Sequence, residues 1–424
     1  MPSSSGRGLH PENGCADPRR QAAAALARVD GYGAHAARLL TRAVPTEREL
    51  VLGVLRWQLT LDHLLARHLR QPIAQLDVRV RAALRLGLYE AKRMRTPTPV
   101  AVAEAVRVTK ALAPRAGGLV NAVLRRAVEE PWPDPGDPAL PLALRTSHPE
   151  WLVRRWVGLL GEQGAAAALA ADQSPAPLTL LEAVSDRDAL LRAGCELRPH
   201  PAVAGALEVT GGAREAIAAL RAGQAYAIDA AAIAVARLLP CSDGLAVDLA
   251  AAPGGKSLVL AGERPEVRVV AADRSLGRSL LMRANLRRLG RGLALVVADA
   301  AAAPLRPASC AALLLDAPCS GTGTLRRHPE IRWRLQPADL PRLAAGQRRL
   351  AEAAAQLLRP GGILLYSTCS LEPEENAAVV EGLGLEAVPV TPELPALVLP
   401  SGGAVIPPTV ASDGFTVHLL CRPG

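Results

Sequence analysis

Two cysteines fifty residues apart each follow an apolar run that ends in polar residues: Cys319 in Asp316-Ala-Pro-Cys-Ser-Gly-Thr-Gly, and Cys369 in Tyr366-Ser-Thr-Cys-Ser. A third motif precedes both, Asp248-Leu-Ala-Ala-Ala-Pro-Gly-Gly-Lys-Ser257. A Gly-rich anion loop beside two strand-end thiols fits one kind of chemistry. A thiolate adds to an unreactive pyrimidine ring, and a cofactor then alkylates the activated carbon. Cytosine C5 is a poor nucleophile until a thiolate adds at C6 and makes the ring enamine-like. Protonation or hydrogen bonding at N3 and the exocyclic amine stabilises that adduct, and Asp316 is placed to supply it. A base must then take the C5 proton so that the thiolate can leave, a step that a second thiol would assist. Cys15, Cys195, Cys241, Cys310 and Cys421 read instead as inert core positions.

The elements around these motifs place them on one rim. From about residue 244, strands are predicted at 245–249, 267–272, 293–298, 311–315 and 363–368. Helices are predicted from Gly255, over 275–289 and over 339–358. Strands separated by helices imply right-handed crossovers and a doubly wound, mostly parallel sheet. Ligands bind such sheets at the carboxyl ends of the strands. Asp248, Asp273, Asp299, Asp316 and Cys369 each end or follow one. The bend Ala250-Ala251-Ala252-Pro253-Gly254-Gly255-Lys256 offers backbone N–H groups at a helix N-terminus, where an anion is favoured. A Walker A reading would need glycine at position 250, which is alanine. Asp273 is placed to accept both ribose hydroxyls, and Asp299 to accept from an adenine amine. These positions suit S-adenosylmethionine and NAD equally, and the thiols select S-adenosylmethionine.

The formal net charge is +9, and all of it lies in the first third. Residues 1–147 hold 22 Lys+Arg against 13 Asp+Glu, whereas residues 148–424 hold 27 of each. A basic module joined to a neutral one predicts a polyanion gripped by one and chemistry done by the other. Only Lys92, Lys110 and Lys256 are lysines, so arginine supplies the positive charge, favouring bidentate phosphate contacts and stacking on bases. The absence of a CxxC pair argues against a structural zinc site and a disulfide framework. No signal-like start and no bilayer-length apolar run occur, so a cytoplasmic protein without a membrane partner is expected.

The chain divides by composition and period. Residues 1–18 are expected to be a disordered tail, and 19–131 an all-α bundle of roughly five to seven helices. Pro72, Pro97, Pro99 and Pro114 are expected to break helices in that bundle. Residues 132–147 read as a Pro-rich linker, with Pro131-Trp-Pro-Asp-Pro-Gly-Asp-Pro138 as its clearest part. Residues 148–222 read as a small α/β domain with apolar runs at 178–184 and 206–209, and 223–424 as the catalytic domain.

Beyond this pattern, Asp248–Ser257, Asp316-Ala-Pro-Cys-Ser-Gly-Thr-Gly-Thr-Leu-Arg-Arg-His-Pro-Glu-Ile-Arg-Trp333, Pro360-Gly-Gly and Ser367-Thr-Cys-Ser-Leu-Glu-Pro-Glu-Glu-Asn376 resemble the motifs of the RNA 5-methylcytosine methyltransferases. Leu52-Gly-Val-Leu-Arg-Trp57, Leu84-Arg-Leu-Gly-Leu-Tyr89 and Val120-Asn-Ala-Val-Leu-Arg-Arg126 resemble a NusB-like RNA-binding domain. The pairing is similar to that of the bacterial 16S rRNA cytosine-C5 methyltransferases. The resemblance implies a Rossmann-like methyltransferase core, S-adenosyl-L-methionine as cofactor, and 16S rRNA as partner, naked or in an early 30S particle. A monomer is expected. The resemblance makes Cys369 the C6 nucleophile, Cys319 the residue that assists release and Asp316 the cytosine stabiliser. Ala250, Ala251, Ala252, Pro253, Gly254, Gly255, Lys256, Asp273, Asp299 and Asp316 become the cofactor site. DNA cytosine methyltransferases use a Pro-Cys thiol as nucleophile, so chemistry alone leaves the two thiols unassigned. Three departures stand out: Ala250 where the family has Cys, Thr416 in place of an aromatic, and Tyr226-Ala-Ile-Asp-Ala-Ala231 without its Gln and Glu.

Overall fold

The computed structural model describes residues 17–240, 245–264 and 266–424, so Cys15, Cys241 and most of the expected N-terminal tail lie outside the described residues. The chain divides into two compact units at the Ser147–His148 boundary.

The first unit is helical, as its 3.6-residue apolar period requires. Its helices run Pro18–Tyr32, Ala36–Leu39, Pro45–Arg56, Gln58–Ala66, Val78–Arg93, Thr98–Leu112, Gly117–Ala127 and Leu142–Thr146. The first starts one residue earlier than expected because the Asp17 carboxylate accepts from Arg19 N. Pro99 does not break a helix. It occupies the first turn of Thr98–Leu112, where a missing N–H has no intrahelical partner to lose. Helix Val78–Arg93 is central, and every residue from Ala82 to Glu90 is buried. Its buried polar groups are therefore partnered. Arg85 pairs with Asp62 at 2.7 Å and Asp30 at 3.0 Å, and Glu90 accepts from Arg19 and Thr96. The Tyr89 hydroxyl donates to Glu49. Arg20, Arg28, Arg42, Arg70, Arg125 and Arg126 are exposed instead.

The Pro-rich stretch expected to be a linker packs on this bundle. Trp132 meets Trp57 edge-on with ring centroids 5.2 Å apart, and the Arg93 guanidinium lies over both rings. Further along, Ser147 Oγ accepts from Leu59 N and Thr60 N, and Thr60 Oγ1 donates to the Leu144 carbonyl. Composition read the prolines correctly as non-helical but could not show that Trp132 has a ring to rest on.

The second unit opens with helix Glu150–Ala171, kinked at Gly161, and a small antiparallel sheet of β1 (Thr179–Leu181), β2 (Glu196–Pro199) and β3 (Ala206–Gly211) in the order β1-β3-β2. Strand β2 was not foreseen, because Glu196-Leu-Arg-Pro is a largely exposed edge with no apolar run. The main sheet has β4 (Leu245–Asp248), β5 (Arg268–Asp273), β6 (Ala294–Val297), β7 (Cys310–Asp316) and β8 (Leu358–Thr368). These five run parallel in the spatial order β8-β7-β4-β5-β6. Helices Gly255–Glu263, Leu276–Arg288 and Leu340–Leu357 make the crossovers. Side chains alternate between two cores, as strand pleating demands. Ala312, Leu314 and Leu365 join Val259, Leu260 and Met282 on one face, while Leu313, Leu315 and Tyr366 join Ala351, Ala354 and Leu357 on the other. Beyond β8 the sheet continues antiparallel through β9 (Glu386–Val388), β10 (Leu397–Val398), β11 (Ala404–Ile406) and β12 (Phe415–Cys421), with β12 against β8. No helix among the described residues is long and apolar enough to cross a membrane.

The packing of Trp132 gives a direct stability test. Trp132→Ala removes an aromatic pair and a cation–π contact, and should lower unfolding free energy by about 1–2 kcal/mol. Urea unfolding that is identical to the parent would show that the segment contributes nothing to the bundle.

Candidate active site

The carboxyl ends of the parallel strands gather the residues singled out above. Pairing of β7 with β8 sets Asp316 opposite Ser367, and Ser367 Oγ donates to Asp316 Oδ1 at 2.9 Å. Cys319 lies three residues beyond Asp316 and Cys369 two beyond Ser367. Their sulfurs approach to 3.2 Å. The Cys319 thiol is pushed well above its ordinary range, first by the hydrogen bond it shares with Cys369, then by burial and by the nearby Glu375 and Asp316 carboxylates. Cys319 therefore keeps its proton and can donate it towards the Cys369 sulfur.

The loops that carry the thiols are stitched together. Gly323 N donates to the Cys369 carbonyl at 2.9 Å, and Leu371 N donates to Thr322 Oγ1 at 3.1 Å. Gly414 N in turn donates to the Gly323 carbonyl at 2.7 Å. A Cβ on Gly323 would stand 2.2 Å from Gly414 O, so only glycine permits this backbone approach. Thr416 Oγ1 donates to the Ser370 carbonyl at 2.7 Å. The departure from an aromatic at that position thus has a local use. Beneath both loops the buried Glu375 carboxylate accepts from Ser320 N, Ser320 Oγ, Ser370 Oγ and Gln347 Nε2. Sequence reasoning gave Glu375 no role. Its signals were its place inside the Ser367–Asn376 motif and the run of carboxylates Glu372-Pro-Glu-Glu.

Lys256 crosses from the Gly-rich bend to Asp316, with Nζ 2.7 Å from Oδ2 and 4.8 Å from the centre of the Phe415 ring. Burial alone would lower the Lys256 pKa, but the Asp316 carboxylate raises it above the ordinary value, so the ammonium stays charged. With Lys256 and Ser367 both donating to it, Asp316 is an acceptor. It is placed to hold the exocyclic amine of a base.

The Gly-rich bend is shaped by its neighbours. Ala251 N donates to the Ala272 carbonyl at 2.9 Å, and Gly254 N closes a turn onto the Ala251 carbonyl. Gly254 N is thus engaged within the loop, and the anion-facing donors expected there begin at Gly255. Gly254 has φ of 105°, a conformation that favours glycine. Asp248, at the end of β4, accepts from Ser257 Oγ at 2.6 Å, and burial pushes its pKa up to about 7. It ties strand to helix. The altered segment 226–231 also has partners: Tyr226 donates to the Pro253 carbonyl, and Asp229 caps helix Ala230–Arg237 while accepting from Arg327 and Asp413 N.

Two cavities flank the bend and share Ala250. One of about 380 Å³ is lined by Leu249, Asp273, Asp299, Pro318, Gln347 and Leu350 among others. Asp273 is buried at its floor, accepting from Ala252 N and Ser275 N and facing Arg278 at 3.2 Å. Asp299 follows β6 and also caps a short turn through Ala301 N. Arg274, Arg278, Arg342 and Arg349 also line this cavity, and the two carboxylates beside its apolar residues match a nucleoside with ribose hydroxyls and an amine to donate. The second cavity, about 230 Å³, is lined by Tyr226, Ile228, Ala251, Ala252, Pro253, Gly255, Lys256, Asp248 and Asp316. The residues of the Leu325–Trp333 motif serve differently. Arg326 and Arg332 are buried, Arg326 bonding Asp413 and the Thr409 and Val410 carbonyls, and Arg332 the Asp172 carbonyl. They anchor the loop rather than face a base. Of the cysteines read as inert, Cys195 and Cys310 are buried and Cys421 is partly so.

Comparison with known proteins shows the family of both parts of the chain. Residues 235–390 match the family described as 16S rRNA methyltransferase RsmB/F, and residues 17–129 match the NusB family. Ribosomal RNA small subunit methyltransferase B of Thermus thermophilus is 36% identical over 422 residues, covering 96% of this chain and 98% of its own. The protein of that name from Pseudomonas putida is 34% identical over 402 residues, covering 88% and 89%. The crystal structure of a methyltransferase homologue protein from Pyrococcus horikoshii is 26% identical with a TM-score of 0.55, covering 66% of this chain and 97% of that one. The chain belongs to the 16S rRNA methyltransferase RsmB/F family, as an S-adenosylmethionine-dependent rRNA methyltransferase with an N-terminal NusB-family domain.

Proposed function

We propose that the chain methylates C5 of a cytosine in 16S rRNA through a covalent bond between Cys369 and C6 of the base. The observation that carries this reading is the pair of sulfurs 3.2 Å apart at adjacent strand ends, beside the Lys256–Asp316 pair. Bound S-adenosylmethionine supplies an electrophilic methyl group. Asp273 and Asp299 hold its ribose and adenine, and Ala250–Lys256 shape the wall between nucleoside and reacting base.

The target cytosine must leave its stack to reach the cleft. Asp316 accepts from its exocyclic amine, with the Lys256 charge balancing the carboxylate. The Cys369 thiolate adds to C6 and pushes electron density to C5, which takes the methyl group. The C5 proton then leaves to a base, the ring double bond re-forms, and the Cys369–C6 bond breaks. Cys319 acts at this last step. Its retained S–H donates a hydrogen bond to the departing Cys369 thiolate and makes it a better leaving group. The first unit grips the RNA by its excess positive charge, with the exposed arginines meeting phosphates. The substrate is 16S rRNA, naked or in an early 30S particle, taken by a monomer in the cytoplasm.

Two experiments test separate parts of this reading. Asp273→Ala should weaken S-adenosylmethionine binding by about 2–4 kcal/mol in calorimetry while the fold persists, because a charge-assisted contact to the ribose is lost. Unchanged affinity would remove Asp273 from the cofactor site. For the thiols, Cys369→Ala should neither methylate RNA nor form an adduct, since nothing else activates C5. Cys319→Ala should methylate and then remain attached, visible as a denaturant-resistant protein–RNA band. A trapped band from Cys369→Ala would reverse the assignment.

A further inference from the structure

Glu375 is fully buried, and no Lys or Arg pairs with it among the described residues. A carboxylate in that position is costly unless hydrogen bonds replace its hydration. Its oxygens are met by donors from three elements. Oε1 accepts from Ser320 N at 2.8 Å and from Gln347 Nε2 at 2.9 Å, while Oε2 accepts from the hydroxyls of Ser320 and Ser370, the latter at 2.5 Å. Ser320 directly follows Cys319 and Ser370 directly follows Cys369, so one side chain holds both thiol-bearing loops. Gln347 adds a bond to the Pro318 carbonyl and fixes the pair to helix Leu340–Leu357. The Glu375 backbone carbonyl accepts from Tyr366 at 2.6 Å, which ties the clamp back to β8.

We propose that Glu375 is a positioning residue for the reaction, its carboxylate fixing Ser320 and Ser370 so that the Cys319 and Cys369 sulfurs stay at hydrogen-bonding distance through the release step. Glu375 touches neither sulfur and acts through the two serines. Its charge has a second effect, since it helps keep the Cys319 thiol protonated. The inference rests on the two-thiol reading above. Within that reading it says why release is assisted, because a thiol that drifts an ångström from the leaving sulfur can no longer donate to it.

Glu375→Gln in the full chain tests this. The amide keeps one acceptor oxygen but replaces the oxygen shared by the two hydroxyls with a donor. Methylation turnover should fall by about 10- to 100-fold, the scale expected of a small misplacement of reacting groups. KM for RNA and calorimetric S-adenosylmethionine affinity should stay at the parent values. A denaturant-resistant protein–RNA band should accumulate, and the pH midpoint for iodoacetamide alkylation of Cys319 should move down, because a negative charge and a thiol contact are lost together. A purely structural role would lower melting temperature and cofactor affinity without building up adduct. Ser320→Ala and Ser370→Ala, each deleting one hydroxyl link, provide the same readouts should Glu375→Gln fail to fold. Parent-like turnover, adduct level and alkylation profile in the folded variants would overturn the proposal. The control Cys369→Ala separates the two levels. If it still methylates RNA, the two-thiol reading is wrong. If it is inactive while the Glu375 and serine variants behave as the parent, only the role of Glu375 is lost.

Discussion

The register between β7 and β8 is the constraint on which the site depends. Parallel pairing brings Asp316 level with Ser367, and everything beyond those two residues inherits that alignment. A slip of one residue would turn the side chains at the strand ends to the opposite face and part the sulfurs. The register is secured on both sides: Leu313, Leu315 and Tyr366 are committed to one core and Leu314 and Leu365 to the other. At the rim it is reinforced by Ser367 on Asp316, by Gly323 on Cys369 and by the Glu375 carboxylate between the loops. The protein therefore places reactive groups on strand ends and uses hydrogen bonds, rather than flexible loops, to fix the last ångström.

Polar groups in this site are arranged as compensated pairs. Lys256 is buried but retains its charge because the Asp316 carboxylate faces it at 2.7 Å. The Cys319 thiol, pressed by a sulfur partner, by burial and by carboxylates, is a proton holder. In the proposed mechanism the two thiols take different duties, Cys319 keeping its proton while Cys369 bonds to the base. Charge also separates by unit. The catalytic unit is neutral overall, while the bundle keeps a positive excess and uses its acidic residues inward, on Arg19 and Arg85 for example.

Much of this was legible in the sequence because strands with apolar runs, bounded by helices, fix where their last residues lie. Asp248, Asp273, Asp316 and Cys369 fall at or just past strand ends, and Asp299 two residues past β6, as the alternation requires. Glu375 was not legible, because its meaning comes from loops fifty residues apart closing over it. Strands β9–β12 were missed because several are only two or three residues long and sit in a Gly- and Pro-rich stretch. Burial against Asp413 and Asp172 assigns Arg326 and Arg332 to the scaffold, a role that no sequence pattern signals. The packing of Trp132 was likewise invisible to composition.

Cys369, held against Cys319, is the proposed point of attachment to the base. RNA containing 5-fluorocytidine at the target tests it in the unaltered protein, because a C5 fluorine cannot leave as a proton and the adduct persists after methyl transfer. Digestion of the trapped complex and mass spectrometry of the attached peptide identify the sulfur directly. The account predicts a methylated fluorocytidine on Cys369 with Cys319 unmodified. Attachment to Cys319, or trapping of RNA through neither cysteine, would contradict it.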